Sequence, residues 1–331
     1  MDLQKTQHYT TLQQQICGNL IEYIPENAFL IEPFVGNGDL LSLFPNALWE
    51  TYDVDPGCKA IIQDTLIDPP NYTGKWVITN PPYLAKNKAT DKKIFELYDV
   101  DDYYKAALKS MLKAEGGILI VPANFFMDER TGSIRKIFLN VFEIIEINFF
   151  SKPVFETTTY SVCSFAFKKK ERPSTQQTFT ANLFPEGASH VITIKEEYDY
   201  RIAGEFYQTL KNEKVKFGRL VQGDVSNKYI TKIKLYALDT RTEQIRLEYC
   251  ETPYVGKPTD RVYATFISDE EISIEYQKKI IEKFNQELNE FREKFGNLSL
   301  TSYRDYNRKR IGFTMAYQLA SKIYRELKED A

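Results

Sequence analysis

"AFLIEPFVGNGDLLSLFPNALWETYDVDP", Ala28 to Pro56, is the stretch from which the fold can be read. An apolar run of strand character, "AFLIEPF", leads into a turn at Gly36-Asn37-Gly38, and "GDLLSLF" then opens a helical pattern. A second apolar run, "LWETYDV", follows and carries Asp53 near its end. Strand, glycine turn, helix and strand in that order form the repeating unit of an open, mostly parallel α/β sheet. Glycines at such a turn let a ligand approach the backbone, in the crevice beyond the strand ends. Taken alone, Gly-x-Gly is equally well an ordinary tight turn. A carboxylate at the second strand end, at about the 20-residue spacing that Asp53 has from the turn, is the usual acceptor for ribose hydroxyls.

The alternation continues outward. "KWVIT", "ILIVPANFF", "EIIEINFF" and "YSVCSFAFKKK" read as strands, with room for an antiparallel hairpin at the end of the sheet. "YYKAALKSMLKAEGG", ending at its glycines, and "GSIRKIFLNVF" read as helices. The polar, strand-breaking segment "KKKERPSTQQT", Lys168–Thr178, places a domain boundary at 170/171. Beyond it the rhythm is lost: short strand-like pieces run to Thr265, followed by long helical patterns over Asp269–Phe295 and Ile311–Leu327. The expected architecture is a Rossmann-like α/β domain, residues 1–170, and an α+β domain, residues 171–331.

Composition narrows the class. A chain of 331 residues suits two domains, since a domain usually takes about 100–200. No apolar run approaches the roughly 18 residues of a membrane span, and the polar start "MDLQKTQHYTTLQQQ" lacks the apolar core of a signal peptide. Cys17, Cys58, Cys163 and Cys250 lie far apart, and there are only two histidines. Neither a disulfide framework nor a Cys/His metal site is suggested. The expectation is a reduced, cytoplasmic, metal-independent protein. Its net charge of -3 does not advertise nucleic acid, so any electrostatic footprint must come from local clusters.

Three features carry chemistry. The glycine turn has no P-loop lysine, and Glu32 just before it would repel phosphate; a nucleoside ligand without phosphates, such as S-adenosylmethionine, fits. Asp64, in "QDTL", is placed either to accept from an adenine amino group or to cap a turn. The strand "WVIT" leaves the sheet through Asn80-Pro81-Pro82-Tyr83. Both prolines have φ pinned and no N–H, and each keeps its predecessor out of the helical region. This stiff exit presents a side-chain amide, bare carbonyls and one aromatic ring.

Taken together and in this order, the motifs resemble those of the γ-class DNA adenine-N6 methyltransferases, the modification enzymes of restriction systems; the resemblance covers roughly residues 5–168. It implies S-adenosylmethionine as cofactor, held by Glu32, Pro33, Phe34, Gly36, Asn37, Gly38, Asp53, Asp64 and Asn80. Tyr9 and Thr10 match the family's N-terminal cofactor motif, although His8 and Thr11 depart from it. The Asn80 side-chain oxygen and the Pro81 carbonyl would hold the two hydrogens of the adenine amine. Pro82 braces the corner, Tyr83 would stack on the base, and Phe155 corresponds to a phenylalanine beside the flipped base. An aromatic at such a position can equally be core.

The resemblance further implies duplex DNA as partner, with a cognate restriction endonuclease linked in function and not as a bound subunit. In the C-terminal half the candidate DNA contacts fall in "KNEKVKFGR", "NKYITKIK" and "YRDYNRKR". They are Lys228, Lys232, Arg304, Asn307, Arg308, Lys309 and Arg310, where arginine suits guanine, asparagine adenine edges, and lysine phosphates. A solvated charged face would look the same. Alternatives are methylation of RNA bases or of protein glutamine, and a non-catalytic DNA-binding specificity subunit.

Overall fold

The computed structural model describes residues 13–155, 161–223, 227–240, 242–302 and 308–330. The chain divides into two compact units, 1–201 with 304–307, and 202–303 with 308–331.

In the first unit nine strands form one sheet: β1 (Phe29–Glu32), β2 (Leu48–Asp53), β3 (Ile61–Ile62), β4 (Trp76–Thr79), β5 (Gly116–Pro122), β6 (Phe142–Phe150), β7 (Val162–Lys169), β8 (Gln176–Phe184) and β9 (Ala188–Lys195). Their order is β3-β2-β1-β4-β5-β7-β6-β8-β9. Every pairing from β3 to β5 is parallel, β7 inserts antiparallel between β5 and β6, and β9 closes the edge antiparallel to β8. This is a mostly parallel, Rossmann-like α/β sheet. β5 is buried along almost its whole length, as a strand covered on both faces must be. Helices α1 (Gln13–Cys17), α2 (Lys93–Tyr98), α3 (Tyr103–Ser110), α4 (Asn124–Met127) and α5 (Gly132–Val141) lie between or before the strands.

Several expected elements shift for physical reasons. The helix that should have ended at two glycines stops at Ser110, and Gly116 and Gly117 instead begin β5. They are needed there: a Cβ on Gly117, whose φ is 156°, would lie 1.8 Å from the Val77 carbonyl oxygen of β4. Gly117→Ala is therefore expected to part β4 from β5 and cost about 2–3 kcal/mol or more, the upper range for overpacking, read as a fall in the midpoint of chemical denaturation. The strand "ILIVPANFF" ends at Pro122, and Asn124–Met127 turns into α4. "GDLLSLF" gives only a short 3-10 turn, Asp39–Leu43, because Pro45 forces Phe44 out of helical geometry.

The expected boundary at 170/171 falls ahead of β8 and β9, which extend the first sheet. Across β7, β6, β8 and β9, Ser164, Asn148, Asn182 and Ser189 stand opposite one another. Fully buried Asn148 bonds the Ile16 carbonyl at 3.2 Å and Asn19 at 2.6 Å, which ties the chain's first described segment to this end of the sheet.

The second unit is α+β. Strands β10 (Phe217–Arg219), β11 (Tyr229–Tyr236), β12 (Arg246–Tyr249) and β13 (Tyr263–Ser268) form an antiparallel sheet ordered β10-β13-β11-β12. Helices α6 (Gly204–Lys211), α7 (Ile274–Lys294) and α8 (Phe313–Glu329) accompany it. Ser273 caps α7 through the Tyr276 amide, and Ile280, Phe284, Leu288 and Phe291 make its buried stripe. Asn285 reads both backbone groups of Leu247, and Gln277 accepts from the Lys232 amide at 2.7 Å, so side-chain amides set the helix on the sheet. Among the described residues no helix is long and apolar enough to cross a membrane.

Candidate active site

The site lies where the parallel strands end. β1 and β4 are neighbours, with Leu30 opposite Trp76 and Ile31 opposite Val77, a register that brings Glu32 level with Ile78, one residue before Thr79. The Thr79 hydroxyl donates to the Glu32 carboxyl, joining the glycine turn to the residue before Asn80. Glu32 also accepts from the Phe34 amide at 3.1 Å. It is buried, and no cation among the described residues pairs with it. Burial, opposed by these two bonds, pushes its carboxyl up to about 8.

The sign of that shift fixes a pH dependence. Because the folded-state value lies above the ordinary one, the folded protein holds a proton that the unfolded chain has released between pH 4.5 and about 8. Glu32 therefore contributes stability below that window, and the contribution is lost as pH rises through it. Glu32→Gln keeps an acceptor for Thr79 and Phe34 but cannot ionise. Denaturation of both proteins at pH 5, 6.5 and 8 is expected to show the wild type losing stability relative to the variant as pH rises.

The turn is built around Asp53. Its carboxylate accepts from the Gly36 amide at 2.8 Å and from the Asp55 amide at 2.8 Å, while the Val35 amide bonds the Tyr52 carbonyl. Gly36 and Gly38 take φ of 52° and 78°, which side-chain-bearing residues rarely adopt. Buried Thr65 holds the Pro33 carbonyl from beyond, at 3.0 Å. Asp64 accepts from the Leu66 amide at 3.1 Å and so does cap a turn; it is half-buried. Phe34 is half-buried and Asn37 exposed.

At the corner, Pro81 is buried and Asn80 half-buried. The Tyr83 ring is buried and meets Tyr104 of α3 edge-on at 6.1 Å. Its hydroxyl lies 2.9 Å from the Ile120 carbonyl of β5 and 2.7 Å from Asn80 Oδ1. Burial holds this phenol well above its ordinary pKa. Stacking on a ligand would require the ring to turn out of that packing. The chain beyond is clamped to the start of α3. Asp102 accepts from the Leu84 amide at 3.1 Å, the Tyr103 amide bonds the Leu84 carbonyl, and the Lys86 amide bonds the Asp101 carbonyl. Burial raises the Asp102 carboxyl to about 6.

The structure thus brings Glu32, Pro33, Gly36, Asp53, Thr79 and the start of the Asn80 corner to one edge of the sheet. Phe155 is buried in the first unit. Tyr9, Thr10, Arg304 and Asn307 lie outside the described residues. Of the other expected DNA contacts, Lys228 pairs with Asp269 at 2.9 Å and Lys232 with Glu251. Lys309 is buried and donates to Ser302 at 3.0 Å, and Arg308 and Arg310 are half-buried. Sequence reading passed over Thr79, whose role needs the neighbouring strand, and Asp102, whose role needs the loop that it clamps. It also passed over Lys234, set 4.8–6.0 Å from the rings of Tyr236, Tyr254 and Tyr263 on one face of the second sheet.

No family model matches the chain, and no curated protein sequence matches it. Among solved structures it is similar to a modification subunit of a putative type I restriction enzyme from Vibrio vulnificus, at 15% identity over 55% of this chain and 48% of that one, with a TM-score of 0.42. A type I restriction-modification methyltransferase subunit from Streptococcus thermophilus matches at 15% identity over 53% and 47%, TM-score 0.41. A putative class I S-adenosylmethionine-dependent methyltransferase from Listeria monocytogenes matches at 14% identity over 53% and 68%, TM-score 0.41. The chain spans about half the length of the first two proteins.

Proposed function

We propose that the first unit transfers a methyl group from S-adenosylmethionine to N6 of an adenine flipped out of duplex DNA, as the modification enzyme of a restriction system would. The observation that carries this reading is the Glu32–Thr79 contact, which sets the glycine turn and the Asn80 corner on adjacent strand ends. The lining suits the cofactor: Glu32 is a buried carboxyl with no cationic partner among the described residues, which fits an ammonium or sulfonium ligand.

S-adenosylmethionine supplies an electrophilic methyl. The protein's task is the amine, whose lone pair is delocalised into the ring and nucleophilic only once localised. Asn80 Oδ1 and the Pro81 carbonyl, as two fixed acceptors, would hold its hydrogens and favour the positive charge that develops on nitrogen. Rotating the Asn80 amide by a half turn would let Tyr83 donate to Ile120 and accept from Asn80, releasing Oδ1 from the tyrosine. The adenine amine is unreachable within a duplex, so the base must leave the stack. The second unit would read the target, with its basic and aromatic side chains as candidates.

Incubation with radiolabelled S-adenosylmethionine and, separately, duplex DNA, RNA and a protein mixture tests the assignment. Label is expected in duplex DNA, as N6-methyladenine. Label confined to RNA or to protein glutamine overturns it, and absence of transfer to every acceptor leaves a binding subunit as the reading.

A further inference from the structure

Folding assembles a basic cluster in the first unit from separate segments of the chain. Lys86, just past the Asn80 corner, Lys105 and Lys109 on α3, and Arg130 before α5 line one cleft of about 360 Å³, together with Asp99, Asp101 and Ser133. Lys105 forms a buried wall. Its ammonium is tied to Asp101 at 2.6 Å and lies 3.3 Å from the Arg130 carbonyl. Arg130 is paired with Asp128 at 2.7 Å. Among the described residues Lys109 bonds the Tyr98 carbonyl, at 2.6 Å, and neither it nor the exposed Lys86 forms an ion pair. An ammonium carries three donors, so Lys86 and Lys109 keep most of theirs. Set against Asp99, the cleft keeps a positive surplus within a chain of net charge -3.

We infer that this cleft holds a backbone phosphate of the nucleic-acid strand whose base enters the Asn80 corner, an inference that rests on the proposed function. The position supports it. Lys86 follows Tyr83 by three residues, a reach of at most roughly 10 Å, and its backbone is fixed by the Asp101 carbonyl. The cleft thus keeps a set spacing from the corner. Such a contact positions the strand without reading sequence.

The test is equilibrium binding of a duplex oligonucleotide to the full chain across a salt series, for wild type, for Lys86→Ala/Lys109→Ala, and for Lys113→Ala as a control of equal kind at an exposed site. Each neutralised phosphate contributes about 0.9 to the slope of log K against log salt. The double variant is expected to lose about one unit of slope and bind about tenfold more weakly, with the control and S-adenosylmethionine affinity unchanged. An unchanged slope in the double variant, with wild type binding duplex, overturns the site and leaves the proposed function standing. If wild type binds no duplex, broadening of the phosphorus resonance of inorganic phosphate decides. Broadening by wild type that the double variant loses makes this a free-phosphate site and overturns the backbone reading. No broadening overturns the site altogether.

Discussion

Asn80→Ala is expected to lower methyl transfer by about 10²–10³-fold or more, the range for losing one preorganised polar group at a developing charge. Affinity for S-adenosylmethionine should change by less than a factor of about three, roughly 0.6 kcal/mol. The split follows from the layout. Glu32 and Asp53 shape the glycine turn through the Phe34, Thr79, Gly36 and Asp55 donors, whereas the Asn80 oxygen meets the Tyr83 hydroxyl. The corner should survive the change, because the prolines stiffen it, Tyr83 keeps the Ile120 carbonyl, and Leu84 keeps Asp102. Single-turnover transfer and calorimetric cofactor titration, run on the same preparation, separate the two quantities. A loss of cofactor affinity matching the loss of rate would place Asn80 in the cofactor site and remove it from the target amine.

What could be read from the sequence was local chemistry with few alternatives. A strand, two glycines and an acid at the next strand end leave little room for another fold, and two prolines after Asn80 dictate a rigid exit in any context. What could not be read depends on neighbours. β3 is only Ile61–Ile62 and exists by pairing with Tyr52 and Asp53. β8 begins inside the polar boundary segment because its outward positions are polar, and pairing with β6 and β9 makes it sheet. The basic run at Arg308–Arg310 suggested a nucleic-acid face, but a run of charge does not show that Lys309 is buried against Ser302. Of the cleft's lysines, Lys105 and Lys109 share α3 but Lys86 comes from the loop after the Asn80 corner, so no short window along the chain contains all three.

Asp53→Ala tests the other half of the site, and its effect should appear in two quantities at once. Both oxygens of this buried carboxylate hold backbone amides, those of Gly36 and Asp55. Truncation strands both donors, and at about 1–3 kcal/mol for each group left unsatisfied a stability loss of about 2–4 kcal/mol is expected. A carboxylate offers about four acceptor positions, and ribose hydroxyls are the ligand groups proposed for this one. Losing that acceptor, together with the turn that Gly36 anchors, is expected to weaken S-adenosylmethionine by about 10–100-fold, roughly 1.4–2.8 kcal/mol. Asn is no neutral substitute, because its amide would set a donor against one of the two backbone donors. The titration must be run well below the variant's unfolding midpoint, so that lost stability does not pass for lost affinity. If the folded variant binds the cofactor as tightly as wild type, Asp53 only braces the glycine turn, and the cofactor's ribose must find its acceptor elsewhere.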